Sequence, residues 1–368
     1  MRVPKAPTAL LLTLLLTACA SGGGGGAEPA ARPAGDARPG AAAAWTVKTR
    51  EHIDLWLHGY ALVQDDTAQV PFFERGYRDR LTVAKNRANV ATALDRARDT
   101  LRTGMLRNPG LVGGQFAALS FATWEEMRRG IDLFLGADGN PQRARTEIDA
   151  AAIAVLAGYF PARADREWLR TFATALEDER AKFYHDHWVQ QQRDRAPALA
   201  AAEAGWRTTY YPKLQRFLAN TQQQGGEIVL SLPLDGEGRT VSGSDRENTM
   251  VIAFPERAAD APEVAYMVAH EGIARLASVA IADNTTPTQK REGYGDRLAS
   301  PAAVLGGLLV IERTLPELAD GYARFYLRAA GRPDTGANPR AALAAAFPLQ
   351  AEIRDALARQ LDVVLGGI

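Results

Sequence analysis

The stretch that decides the fold runs EIVLSLPL (227–234), DGEG (235–238), RTV (239–241), NTMVIAF (248–254) and then VAHEGIARL (268–276). The first and fourth segments are rich in β-branched and large apolar residues, the composition of strands. Asp235-Gly236-Glu237-Gly238 is a turn signal, so the chain is read as a small antiparallel sheet closed by Pro255. A helix from about Ala261 to Ile281 follows. In a His-Glu-x-x-His helix, two imidazoles four residues apart share one face and bind zinc, while the glutamate polarises a water. His270 and Glu271 are in place here, but Ala274 stands where the second imidazole belongs.

Upstream, the chain from Trp45 to Gln224 reads as almost wholly helical. Ile53, Trp56, Leu57, Tyr60 and Val63 recur at three- and four-residue spacing as an apolar stripe. Further helices are expected over about Leu81–Leu106, Thr123–Leu135 and, from an Asn140 cap with Pro141 at the first position, through Leu156. Two longer ones cover about Ala164–Arg195 and Pro197–Gln223. Downstream of Ser300 the chain is again helical, interrupted at Pro316, Gly331–Pro339 and Pro348. No repeat period is apparent. The expected fold is mostly α: a helical bundle over residues 45–224, packed on an α+β region over residues 225–368.

The N-terminus carries a different message. Arg2 and Lys5 precede an apolar run from Leu10 to Leu16, too short to span a bilayer as a helix and shaped like a secretory signal. It ends in Leu16-Thr17-Ala18-Cys19, which resembles a bacterial lipobox. That resemblance implies removal of residues 1–18 and acylation of Cys19, the only cysteine of the 368 residues. A lone cysteine allows no intramolecular disulfide. Ala20 follows it rather than an aspartate, which in the Gram-negative sorting pattern favours the outer membrane, facing the periplasm. Residues 19–44 are Gly-, Ala- and Pro-rich and read as a disordered tether reaching about 25–30 Å. Loss of Arg2 and Lys5 with the signal leaves a net charge of −2, which gives no support for nucleic-acid binding. No segment after the signal reads as transmembrane.

Strand, turn, strand and a His-Glu helix on an apolar background resemble the core of the zincin metallopeptidases, in particular the glutamate-liganded gluzincins. The resemblance covers about residues 226–330. It implies that His270 is the first metal ligand and Glu271 the general base, and that a downstream helix supplies the third ligand. Glu312 is the first choice for that ligand, with Glu317 second. It also implies that the edge strand before the helix pairs with a peptide. The vacancy at Ala274 and the guanidinium of Arg275 beside it, able to pair with Glu271, argue against tight zinc binding. The other histidines are His52, His58, His185 and His187. His185 and His187 are two apart and point to different helix faces, whereas His58 sits on an apolar helix face.

Three readings of function stay open. The first is a zincin-like domain with lost or weakened peptidase chemistry, used as a binding or scaffold module for a peptide or protein and tethered to the membrane through lipidated Cys19. The second is an active metallopeptidase in which zinc is held by altered ligands. The third is a helical envelope protein unrelated to zincins, in which His270 and Glu271 are adjacent by coincidence. The loop Glu292–Asp296 lacks the alternating acidic ligands of a calcium loop. Trp206, Tyr210, Tyr211 and Leu214 read as a core stripe.

Overall fold

The structure is a computed structural model and describes residues 45–242, 247–332 and 336–366. The signal segment, Cys19 and the tether lie outside them. The fold is mostly α-helical around one small sheet. Strand β1 (Thr46–Lys48) precedes α1 (Glu51–Val63), α2 (Tyr77–Ala88), α3 (Ala93–Arg107), α4 (Trp124–Gly136), α5 (Glu147–Tyr159), α6 (Arg163–Glu179), α7 (His185–Asp194), α8 (Ala196–Gly205) and α9 (Tyr211–Asn220). Strands β2 (Gly225–Ser231), β3 (Arg239–Ser242) and β4 (Glu247–Ala253) follow. The chain ends with α10 (Glu263–Asp283), α11 (Pro287–Arg291), α12 (Tyr294–Thr314), α13 (Ala319–Ala329), α14 (Pro339–Ala346) and α15 (Ala351–Val364).

The sheet is mixed rather than antiparallel. Its order is β1-β2-β4-β3; β1, β2 and β4 run parallel, and only β3 runs antiparallel, against β4. The reason is that both faces of the sheet are covered: successive side chains point to opposite faces, and strands buried on both sides are the habit of parallel sheets. Ile228, Leu230, Met250 and Ile252 face one core, and Val229 and Val251 face another. The core against Val229 is built by α1 to α6; the opposite core is built by α8 to α10 and α12 to α15, with Trp45 and Val47. Thus α8 and α9, with Trp45 and Val47 from the start of the described chain, pack with the C-terminal helices. Strand β1 carries no apolar run to announce it. Trp45 is fixed there by donating Nε1 to the Gln223 carbonyl (3.0 Å) while its own carbonyl accepts from Trp206 Nε1 (3.1 Å).

Helix α1 is buried on all sides, not along one stripe: every residue after Glu51 is buried. It lies between the sheet and α3 and α6, and its polar members are therefore paired. The expected Leu81–Leu106 helix is two helices, because Asn89 is left-handed (φ 52°) and Thr92 opens a capping box with Asp95. Pro141 starts only a short 3₁₀ turn, and Thr146 caps the helix that carries Leu156. The long helices both contain a π turn, at Arg180–Tyr184 and Trp206–Tyr210. Such an insertion rotates everything beyond it about the helix axis. The Trp206 stripe is core, with Leu214 fully buried.

Helix α10 packs chiefly on α12. Residues 258–283 are long and apolar enough to cross a membrane by length and composition, but 67% of their apolar 18-residue stretch is buried inside the fold, as expected of a core helix.

Candidate functional site

His270 lies on the inward face of α10, 2% exposed. Gly307 of α12 permits the close approach: a Cβ there would stand 3.1 Å from the His270 Cα and 2.2 Å from the Tyr322 hydroxyl. From α13, the Tyr326 ring stacks on the imidazole, centroids 5.1 Å apart and planes 21° apart. The third wall is the β2–β3 connection. Its backbone is fastened to residues 71–74 by Glu74 N to Pro233 O (2.9 Å), Asp235 N to Phe72 O (3.0 Å) and Glu237 N to Pro71 O (3.2 Å). Asp66 shapes that partner segment by accepting from the Phe72 and Phe73 amides at 2.6 and 3.0 Å. The connection thereby delivers Glu237 to His270. Gly238 is needed beside it, since a Cβ there would meet the Val251 carbonyl at 2.8 Å and Glu271 Cγ at 3.0 Å.

The result is an imidazole with one carboxylate at each nitrogen. Glu237 Oε1 lies 3.7 Å from Nε2, and Glu271 Oε1 lies 3.6 Å from Nδ1. Both separations are beyond hydrogen-bond range, and neither nitrogen has a partner among the described residues. Burial alone would drive His270 to its neutral form, but the two carboxylates outweigh it and hold its pKa above the usual value. Burial, reinforced by Glu271 and opposed by His270, pushes the Glu237 carboxyl up. The groups fit an imidazolium clamped between two acids that short side-chain movements would bring into hydrogen bonding.

The zinc set implied by the zincin resemblance is not assembled. Ala274 is exposed. Glu312 of α12 faces Arg340 (3.5 Å), and exposed Glu317 pairs with Lys213 (2.7 Å). Arg275 does not pair with Glu271; its guanidinium meets Gln222. Glu237, His270 and Glu271 do bring ligand atoms within 4.8 Å of one another, the one such trio among the described residues. The trio offers one imidazole and two carboxylates, a different donor set from the two imidazoles and one glutamate that the resemblance implies. Glu237 was the residue missed by sequence reasoning; its only signal was a glutamate between two glycines in the turn before the edge strand.

The other histidines serve packing. His52 Nε2 lies 2.9 Å from the Phe121 carbonyl. His58 bridges Tyr77 and Glu179, both at 3.0 Å. His185 meets Glu51 at 2.9 Å, and His187 stacks on Phe183. Gly293 and Glu292 form the approach to α12.

One stability consequence can be measured at this site. A group with a raised folded pKa contributes stability that is fully present below its unfolded pKa, 6.5 for the imidazole, and lost as pH rises through the folded value. Tyr326, Glu237 and Glu271 are the titratable groups around the ring. The stability advantage of the parent over His270→Gln should thus shrink as pH is raised from 6 to 9. Urea midpoints across that range report it; a difference that stays flat, or grows, rules out the clamped imidazolium.

Comparisons with protein-family models, with curated proteins and with solved structures each return no match.

Proposed function

We propose that this chain is a bacterial envelope lipoprotein, anchored through Cys19 and standing off the outer membrane on its tether, in which a zincin-like domain has lost its peptidase chemistry and works as a binding or scaffold module for a peptide or protein. The carrying observation is the imidazole of His270 held between Glu237 and Glu271. What supports the loss of zinc chemistry is that the second imidazole of the pattern is replaced by Ala274 and that both nitrogens of His270 face carboxylates, whereas zinc hydrolases use three protein ligands and an open position on the metal. The antiparallel edge strand β3 supports the binding half of the reading, because an extended peptide can add to such an edge through main-chain hydrogen bonds.

Metal content is the direct test. The mature lipidated chain, purified in detergent without chelator and dialysed against micromolar zinc, should hold far less than one zinc per chain. It should also leave unstructured peptide substrates intact. The second reading, an active metallopeptidase with altered ligands, is favoured by the Glu237–His270–Glu271 trio. Stoichiometric zinc that disappears in both His270→Ala and Glu237→Gln would replace the first reading with the second.

A further inference from the structure

A cavity of about 520 Å³ opens between α2 and α7, on the face of the bundle served by neither α10 nor β3. Its volume is within the range of small-molecule sites. Its wall is apolar where it is deepest: Tyr77 and Leu81 from α2 and Leu232 from the end of β2 are all buried. Val83, at the rim, is among the few large apolar side chains left exposed, at 47%.

The charge around this apolar wall is one-sided. Arg80, Arg87 and Arg195 line it, against a single acid, Asp79. Two of the arginines are held in place: Arg80 pairs with Glu74 and lies over the Tyr77 ring, and Arg195 donates to the Phe254 carbonyl (2.5 Å) with Glu256 at 3.8 Å. Arg87 makes no ion pair with any described residue. His187 adds no charge at neutral pH, since burial drives its pKa down to about 4. Guanidinium groups are suited to holding a carboxylate through two parallel hydrogen bonds.

We propose that the α2–α7 cavity binds a small amphiphile consisting of a carboxylate on an apolar chain, the acid at Arg87 and the chain against Tyr77, Leu81 and Leu232. Two sources carry that chemistry, a fatty acid and the C-terminus of an apolar peptide. Neither depends on the His270 site, so the outcome is independent of the metal measurement.

The test is calorimetric titration of the full mature chain in phospholipid nanodiscs with octanoate, with acetyl-dileucine and with their neutral counterparts, octanol and acetyl-dileucine amide. At least one acid should bind saturably and its neutral counterpart at least tenfold more weakly. Octanoate alone identifies the fatty-acid source, and acetyl-dileucine alone the peptide source. Arg87→Glu, exposed and without a structural partner, should weaken the bound acid by tenfold or more while leaving the thermal unfolding curve in place. Saturable binding of neither acid, equal binding of acid and neutral forms, or undiminished binding to Arg87→Glu overturns the proposal. Leu81→Asp, placing a charge against the apolar chain, should abolish binding; if that variant fails to fold, Arg87→Glu and the neutral ligands still decide.

Discussion

Glu179→Ala should lower the free energy of unfolding by about 3–5 kcal/mol, among the largest losses available to a single substitution in this chain. Glu179 closes α6 at the threshold of the first π turn and is wholly inaccessible. One carboxylate oxygen faces His58 Nε2 (3.0 Å); the other accepts from Lys85 Nζ (2.7 Å) and from the Thr92 hydroxyl. Lys85 is itself 4% exposed, with Asp95 as its second partner at 2.8 Å. Removing the acid leaves a buried ammonium with half its compensation and a buried imidazole without its acceptor. Burial pushes the Glu179 carboxyl up, but the hydrogen bond and charge of His58 and the charge of Lys85 prevail and bring it to about 2. A carboxylate depressed below its unfolded pKa of 4.5 contributes stability above that pH and loses it as pH falls towards 2. The penalty of Glu179→Ala should therefore be full at pH 7 and fade below pH 4. Urea unfolding with an unchanged m-value measures it. A loss under 1 kcal/mol at pH 7 would mean that Asp95 alone suffices for Lys85.

Asp54→Ala should cost about 3–4 kcal/mol, because several buried donors lose their acceptor at about 1–3 kcal/mol each and such losses are not additive. Asp54 Oδ1 accepts from the Ser231 hydroxyl (2.5 Å) and the Leu232 amide (2.9 Å), and Oδ2 from Trp188 Nε1 (2.8 Å). The side chain thus joins α1, the end of β2 and α7, the three elements that meet where the two cores adjoin. Its pH dependence has the opposite sign. Complete burial outweighs the three donors and raises the carboxyl to about 6. The folded state then holds the proton more tightly than the unfolded chain, whose carboxyl titrates near 3.8, so charging Asp54 costs stability as pH rises from 4 to 6. The penalty of Asp54→Ala should consequently be larger at pH 4 than at pH 7.5, the reverse of Glu179→Ala. Denaturation midpoints at the two pH values separate the cases; matching slopes for both variants would refute the assignment of opposite charge preferences.

These two residues show where sequence reasoning stops. The periodicity around Trp56 placed α1, and α4 opens at Thr123 where the sequence starts a helix, because a cap needs only neighbours within one turn. Nothing within a few residues of Asp54 or Glu179 announces a partner 177 or 121 positions away. The apolar runs of β2 and β4 were legible as strands, yet their parallel pairing was not. Direction depends on what covers the faces, and that is settled when helices from both ends of the chain converge.

The same division holds at the site. By itself the sequence determined that α10 is a core helix carrying His270 and Glu271, and that the second position of the zinc pattern is an alanine, because these are facts of composition and spacing along one element. Only the tertiary structure decided which acid meets the imidazole. Glu312 shares α12 with Gly307, which lies against His270, but Glu312 itself faces Arg340. Glu237, on a connection that residues 71–74 hold in place, reaches the ring instead. A helix face follows from a period of 3.6 residues, whereas a meeting of a loop with a helix requires every backbone bond that fixes the loop.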